Sequence, residues 1–227
     1  MFTGLKAIPA FNGAGSGGSG AGGSLTLTLV GTATANAASI SMPSGTIVGD
    51  WAILLDAAES GSGSSITSVV PSGWTSIKDI YNNPSGALRL IASQKVLTST
   101  SSVTGMSSGT KFLLVFRPSS AITTVTASTW NGEVTAGNPT SQTVSASGVS
   151  TPLIVLALAA TQESGAAIPA FVTETPSMTN LTNDGPSGGP ECRMGYTLYN
   201  SSPSDQSIDT GDNGAVNGLI SGYVRFT

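Results

Sequence analysis

Histidine is missing from all 227 residues, and cysteine occurs once, at Cys192. Without His, a Ser-His-Asp or Cys-His relay has no general base, and the commonest zinc ligand is lost. A lone Cys excludes an intrachain disulfide and any Cys-based metal cluster, a usage that suits synthesis in a reducing cytosol. Charge is scarce too: 9% of residues are Asp, Glu, Lys or Arg. Solvated helices need such residues on their outer faces, so so few of them disfavour a helical fold. The net charge of −4, with eight scattered basic residues, argues against nucleic acid as a partner, because phosphate binding needs clustered Lys and Arg. No apolar run reaches membrane-spanning length; the longest, Pro152 to Ala160, suits a buried strand and gives no reason to expect membrane insertion. The first residues lack the continuous apolar core of a signal peptide.

What is abundant is Gly, Ser, Thr and Ala, arranged as strand, turn, strand. Leu25 to Val30 alternates apolar and hydroxyl residues, the period of a half-buried strand. Asp50 to Asp56 and Lys111 to Arg117 are more continuously apolar, as in central strands. Ala87 to Leu97, Ile122 to Ala127, Ser141 to Ser147, Thr151 to Thr161, Cys192 to Tyr199 and Gly218 to Phe226 continue the series. Turn chemistry separates them, as at Pro71-Ser72-Gly73 and Asn83-Pro84-Ser85-Gly86. The expected fold is all-β: an antiparallel, jelly-roll-like β-sandwich with a Gly-rich N-terminal arm. Trp51, Leu54, Trp74, Leu88, Leu90, Phe112, Leu114, Leu153, Val155, Leu198 and Val224 are the expected interior.

The chain divides into an arm, residues 1–24, and a body, residues 25–227. The arm has an apolar head (1–11) and a Gly/Ser tether (12–24) with no side chains to pack. The body reads as two pseudo-halves, about 38–118 and 150–227. Each runs from an apolar strand through a Pro-Ser-Gly turn to a strand with an early arginine, Arg89 or Arg193, and ends on an apolar strand. Duplication explains this; chance likeness of turns in a Gly/Ser-rich chain is the other explanation. Neither half easily buries its apolar face alone, so the two are expected to pack as one sandwich, with 120–150 as the connector.

Few motifs carry chemistry. Gly105-Met106-Ser107-Ser108-Gly109 fits the hydrolase elbow pattern but has no His and no following helix. Asp209-Thr210-Gly211 matches the aspartic-protease triplet without a second carboxylate to share its proton. Asp205, Asp209 and Asp212 make an oxygen-rich stretch that reads as a solvated acidic loop, with a cation site as the open alternative. Cys192 is expected to pack as a small hydrophobe. Trp130, beside Asn131, is a candidate for stacking on a sugar, and packing in the core or at an interface is the competing reading. No catalytic residue, cofactor or metal site is expected.

Gly49-Asp50, Pro71-Ser72-Gly73-Trp74-Thr75, Leu88 to Val96 and Phe116-Arg117 together resemble a recurrent β-sandwich domain of accessory virion proteins in tailed bacteriophages. The resemblance covers about residues 40–160. It implies a non-enzymatic virion protein, made in the host cytoplasm, in a tail fibre, collar or adsorption apparatus. Capsid decoration and a soluble carbohydrate-binding module are the alternatives. Partners would be other virion proteins, with a host surface glycan as a further candidate. The arm departs from this pattern. Phe2, Leu5, Ile8 and Phe11 make it an apolar plug on a tether, which is expected to dock on another chain of a homo-oligomer, with a trimer the first choice.

Overall fold

The computed structural model describes residues 24–60, 69–82, 87–134, 141–161, 171, 173–183, 190–210 and 217–227. The arm's apolar head, with Phe2, Leu5, Ile8 and Phe11, lies outside them, as do the turns at 84–86 and 186–188 and Asp212.

Among the described residues, fourteen strands form three antiparallel sheets. The first sheet contains β1 (Leu27–Asn36), β2 (Trp51–Ser60), β3 (Thr75–Asn82), β4 (Ala87–Val96) and β5 (Thr110–Pro118), in the order β1-β5-β2-β4-β3. The second contains β6 (Val125–Ala127), β7 (Asn131–Val134), β9 (Leu153–Ala160), β11 (Thr179–Asn183), β12 (Cys192–Tyr199) and β14 (Gly218–Phe226), in the order β11-β12-β9-β14-β6, with β7 also on β14. A small third sheet holds β10 (Thr173–Thr175), β13 (Gln206–Asp209) and β8 (Ser141–Val144).

The first two sheets have one topology. Counting β6 and β7 as a single interrupted strand, each sheet places its first, fifth, second, fourth and third strands side by side in that order. Even the irregularity is shared. β1 carries a bulge between Leu29 and Gly31 against β5, and one extra residue separates the β6 and β7 ladders on β14. The two large sheets, or units, therefore share one five-stranded topology. Each unit is longer than the sequence pattern marks it, because β1 and β6–β7 supply its first strand. The stretch expected as a connector holds three strands, β6, β7 and β8.

Alternation decides which side chains meet. Trp51, Ile53, Leu55, Leu88, Leu90, Phe112, Leu114 and Phe116 of the first sheet face Ile154, Leu156, Leu158, Cys192, Met194, Ile220, Val224 and Phe226 of the second. Trp51 meets Phe226 edge-on with ring centroids 4.7 Å apart, and Phe116 meets Tyr196 at 6.3 Å. Both contacts join the two units, in a geometry that favours aromatic pairs. The edges also lock reciprocally. Asn183 Nδ2, at the end of β11, donates to Ala35 O on β1 at 3.3 Å, and Lys78 Nζ on β3 donates to Trp130 O beside β7 at 3.0 Å. First strand thus lies over third strand on both sides, the relation of two subunits in an isologous dimer.

β2 and β9 sit centrally and are apolar on both faces, because each sheet is covered on its outside as well. On the first sheet, loops bring Ile40, Leu97, Val103 and Met106 onto Ala52, Leu54, Leu113 and Val115. On the second, the third sheet and its connections bring Val144, Ala146, Met178 and Ile208 onto Leu153, Val155, Ala157 and Leu219. Nine of the eleven expected interior residues are buried. The exceptions are Trp74 and Leu198, which are half-buried. Trp74 lies on the outer face just before β3 begins, and Leu198 nears the end of β12, so each is covered from one side only.

Candidate functional site

The residues proposed for chemistry are dispersed. Trp130 is 4% exposed and belongs to the inner core, which agrees with its reading as a packing residue. Its indole lies over Gly222, where an added Cβ would stand 2.3 Å from the ring. Trp130 Nε1 donates to Tyr223 O at 3.3 Å. The ring fills the room that a missing side chain on β14 leaves. Asn131 is exposed and donates from Nδ2 to Thr143 O at 2.9 Å, tying β7 to β8. The two adjacent residues thus sit in different surroundings, one in the core and one on the surface.

Asp205 Oδ1 accepts from the Ser147 amide at 2.8 Å, closing a loop contact, while Asp209 ends β13. Among the described residues, no group of three or more Cys, Asp or Glu could hold a metal ion. Cys192 is fully buried, and burial pushes its thiol well above the ordinary range. The thiolate that nucleophilic chemistry needs is thus disfavoured. Gly109 of the hydrolase-like pattern backs onto the Ala57 carbonyl, which a Cβ would meet at 2.4 Å. The turn is there for close packing. The carbonyls of Ser107 and Gly109 accept from Lys111 Nζ at 2.8 and 3.3 Å, and Asp56 Oδ1 accepts from the same ammonium at 3.0 Å. This buried ion pair was missed in the sequence pattern. Its signal was that Asp56 and Lys111 each break an otherwise apolar strand.

The most organised polar assembly stands where the arm joins the body. Arg117 Nε and Nη2 donate to the two Asp50 carboxylate oxygens, each at 2.9 Å, and Nη2 also donates to Gly45 O at 2.8 Å. The Ile47 amide adds a 2.9 Å bond to Asp50 Oδ2. Burial raises the Asp50 carboxyl pKa, but the Arg117 and Ile47 hydrogen bonds and the Arg117 charge together hold it below 3.8. The loop can close this tightly because Gly45 and Gly49 take φ of 81° and 95°, conformations that other residues rarely adopt. Gly-Asp and Phe-Arg, quoted above from opposite ends of the first unit, are thus partners in one clamp.

The clamp holds out Ile47 and Val48, which are 53% and 62% exposed. Two clefts flank Arg117. One of about 540 Å³ is lined by Leu29, Val30, Ser44 and Pro118, and one of about 320 Å³ by Ile47, Val48, Ser120 and Ala121. The chain enters the first sheet here. Asn200 brackets Leu27, accepting from its amide at 2.8 Å and donating to its carbonyl at 3.0 Å, while Ser119 Oγ accepts from the Thr26 amide at 2.9 Å. The body therefore fixes residues 26 and 27 beside an exposed apolar tip. Comparison with protein-family models, curated proteins and solved structures found no match.

Proposed function

We propose that this chain is a non-enzymatic structural protein of a tailed-phage virion, held in the particle by its N-terminal arm, in a tail fibre, collar or adsorption apparatus. The geometry at the arm's root carries the reading. A strand pinned at Thr26 and Leu27 follows the Gly/Ser tether, and beside it Ile47, Val48 and the clefts around Arg117 offer an apolar landing surface. Two of the four stretches that carry the virion resemblance, Gly49-Asp50 and Phe116-Arg117, build this end.

The arm's dimensions suit attachment to another chain. Extended, residues 12–24 span roughly 40 Å at about 3.3 Å per residue. Burying Phe2, Leu5, Ile8 and Phe11 contributes around 6–10 kcal/mol before ordering costs, and those costs consume much of it. Firm attachment then requires several arms at once, on a homo-oligomer such as a trimer or on a symmetric platform of other virion proteins. Deleting residues 1–11 tests this. The truncated body should fold and stay out of particles assembled in its presence, and normal incorporation would refute arm-mediated attachment. Counting copies per particle then separates tail from capsid decoration.

A further inference from the structure

The outer face of the first sheet carries a cleft of about 180 Å³, built from the turn before β3, the end of β4 and the loop that follows β4. It shares no lining residue with the clefts beside Arg117. We propose that it binds one sugar ring bearing a negative charge, such as a uronic or sialic acid.

The first observation is Trp74. Trp51 and Trp130 are buried, whereas Trp74 is half-buried, packing one side on the outer apolar cluster and lining the cleft with the rest. An indole face carries negative charge density and attracts the weakly positive C–H face of a pyranose. The second is Lys95. Its ammonium lies over the Pro71–Trp74 turn, 3.2 Å from where a Cβ on Gly73 would stand. Gly73 has φ of 76° and the Trp74 amide donates to Pro71 O at 3.0 Å, so the turn is set and kept clear for the amine. Lys95 has no ion pair or hydrogen bond among the described residues. Every other described lysine is engaged: Lys78 with Trp130 O and Lys111 with Asp56.

The third observation is the rim. Ser72, Ser99, Ser101, Ser102 and Thr104 surround the opening with hydroxyls that both donate and accept, as the hydroxyls of a sugar require. The walls are already ordered. Ile40 and Val103 exchange two backbone bonds of 3.0 and 2.9 Å, Gly49 and Asp50 hold Leu97 by two more, and the Ser101 amide donates to Ser99 Oγ at 3.1 Å. Binding therefore requires little reorganisation. The volume suits one ring, since pockets for drug-sized ligands run about 300–1,000 Å³. No carboxylate lines the cleft to repel an acid.

The test is a titration of the purified full chain with glucuronic acid, glucose and inorganic phosphate in parallel, followed by amide and indole NMR shifts. Glucuronic acid should move the Trp74 indole and the Gly73 and Ser101 amides, leaving Trp51 and Trp130 in place. Glucose should bind more weakly. Lys95→Gln, on the solvent side of the turn, should keep the dispersed spectrum and weaken glucuronic acid by up to about fivefold, the worth of one exposed charge pair, without altering glucose. No shifts at the cleft would overturn the proposal. So would equal response of wild type and Lys95→Gln to the acid, or phosphate alone reproducing the shifts, which marks an anion site only. None of these outcomes depends on the arm, so failure here leaves attachment standing, and normal incorporation of the arm deletion leaves the cleft standing.

Discussion

The inner faces of the two units nearly repeat one another, and their outer faces do not. With Arg89 set against Arg193, the ladders bring Ile53, Leu55 and Ala57 into line with Ile154, Leu156 and Leu158, and Leu88 and Leu90 with Cys192 and Met194. On the last strand, Leu114 and Phe116 correspond to Val224 and Phe226. One inner position breaks the pattern: Phe112 corresponds to Gly222, and Trp130 fills the gap from the edge. Outside, the buried Asp56–Lys111 pair corresponds to Ala157 and Ser221, and Ser221 Oγ instead donates to Gln142 Oε1 from the third sheet. The Asp50–Arg117 clamp has no ionic counterpart, since Thr151 and Thr227 take those places. The inner faces constrain each other because each is the other's cover. Each outer face meets a different cover, loops on one side and a third sheet on the other, and has diverged to fit it.

The sharpest way to break this comparison is at the exchanged aromatic. Trp130→Ala should cost about 3–5 kcal/mol by urea unfolding, the range for emptying a large core site. Gly222→Phe alone should be at least as damaging, because even a Cβ collides with the indole. Joining the two should recover much of the loss, making the second unit resemble the first; simple addition of the two costs would show that Trp130 does not stand in for Phe112.

On the outer faces the asymmetry should appear as a difference in cost. Lys111→Ala leaves Asp56 buried without its cation and should cost about 3–5 kcal/mol. Ser221→Ala removes one neutral hydrogen bond and should cost about 1 kcal/mol. Equal costs would mean that the ion pair adds nothing to the first unit.

The clamp predicts a pH dependence that its counterparts, Thr151 and Thr227, do not supply. Asp50 has its folded pKa below 3.8, so its contribution is fully present above the ordinary carboxylate range and is lost as pH falls through the folded value. Wild type should exceed Asp50→Asn in stability at neutral pH, with the gap closing in acid. A gap that is constant with pH would dissociate the clamp from charge. The smallest effect belongs to Cys192, the counterpart of Leu88. Its thiol should resist aromatic disulfide reagents until the protein unfolds, and Cys192→Ala should cost only about 1 kcal/mol.

The long strands were legible because burial on both faces writes a continuous apolar run, as at Trp51 to Leu55 and Leu153 to Ala160. The sequence sets Arg89 against Arg193, and the ladders allow that alignment. The place of Ile122 to Ala127 beside β14 was not legible, because β7, which continues it, has four residues in polar text. Trp130 reads from sequence as core, interface or ligand contact, and its reason for burial, Gly222, is distant in sequence and identified only by register. Asp50 and Arg117 were quoted as motif residues, but nothing in their spacing said that they touch. Trp74 reads as core from sequence because aromatic strand text does not reveal which outer face has a complete cover.

If the two units share a single interior, they must unfold together. Differential scanning calorimetry of the full chain measures this directly. One transition is predicted, with calorimetric and van't Hoff enthalpies equal. Two resolved transitions, or a calorimetric enthalpy well above the van't Hoff value, would show that each unit is stable without the other and would contradict the shared core.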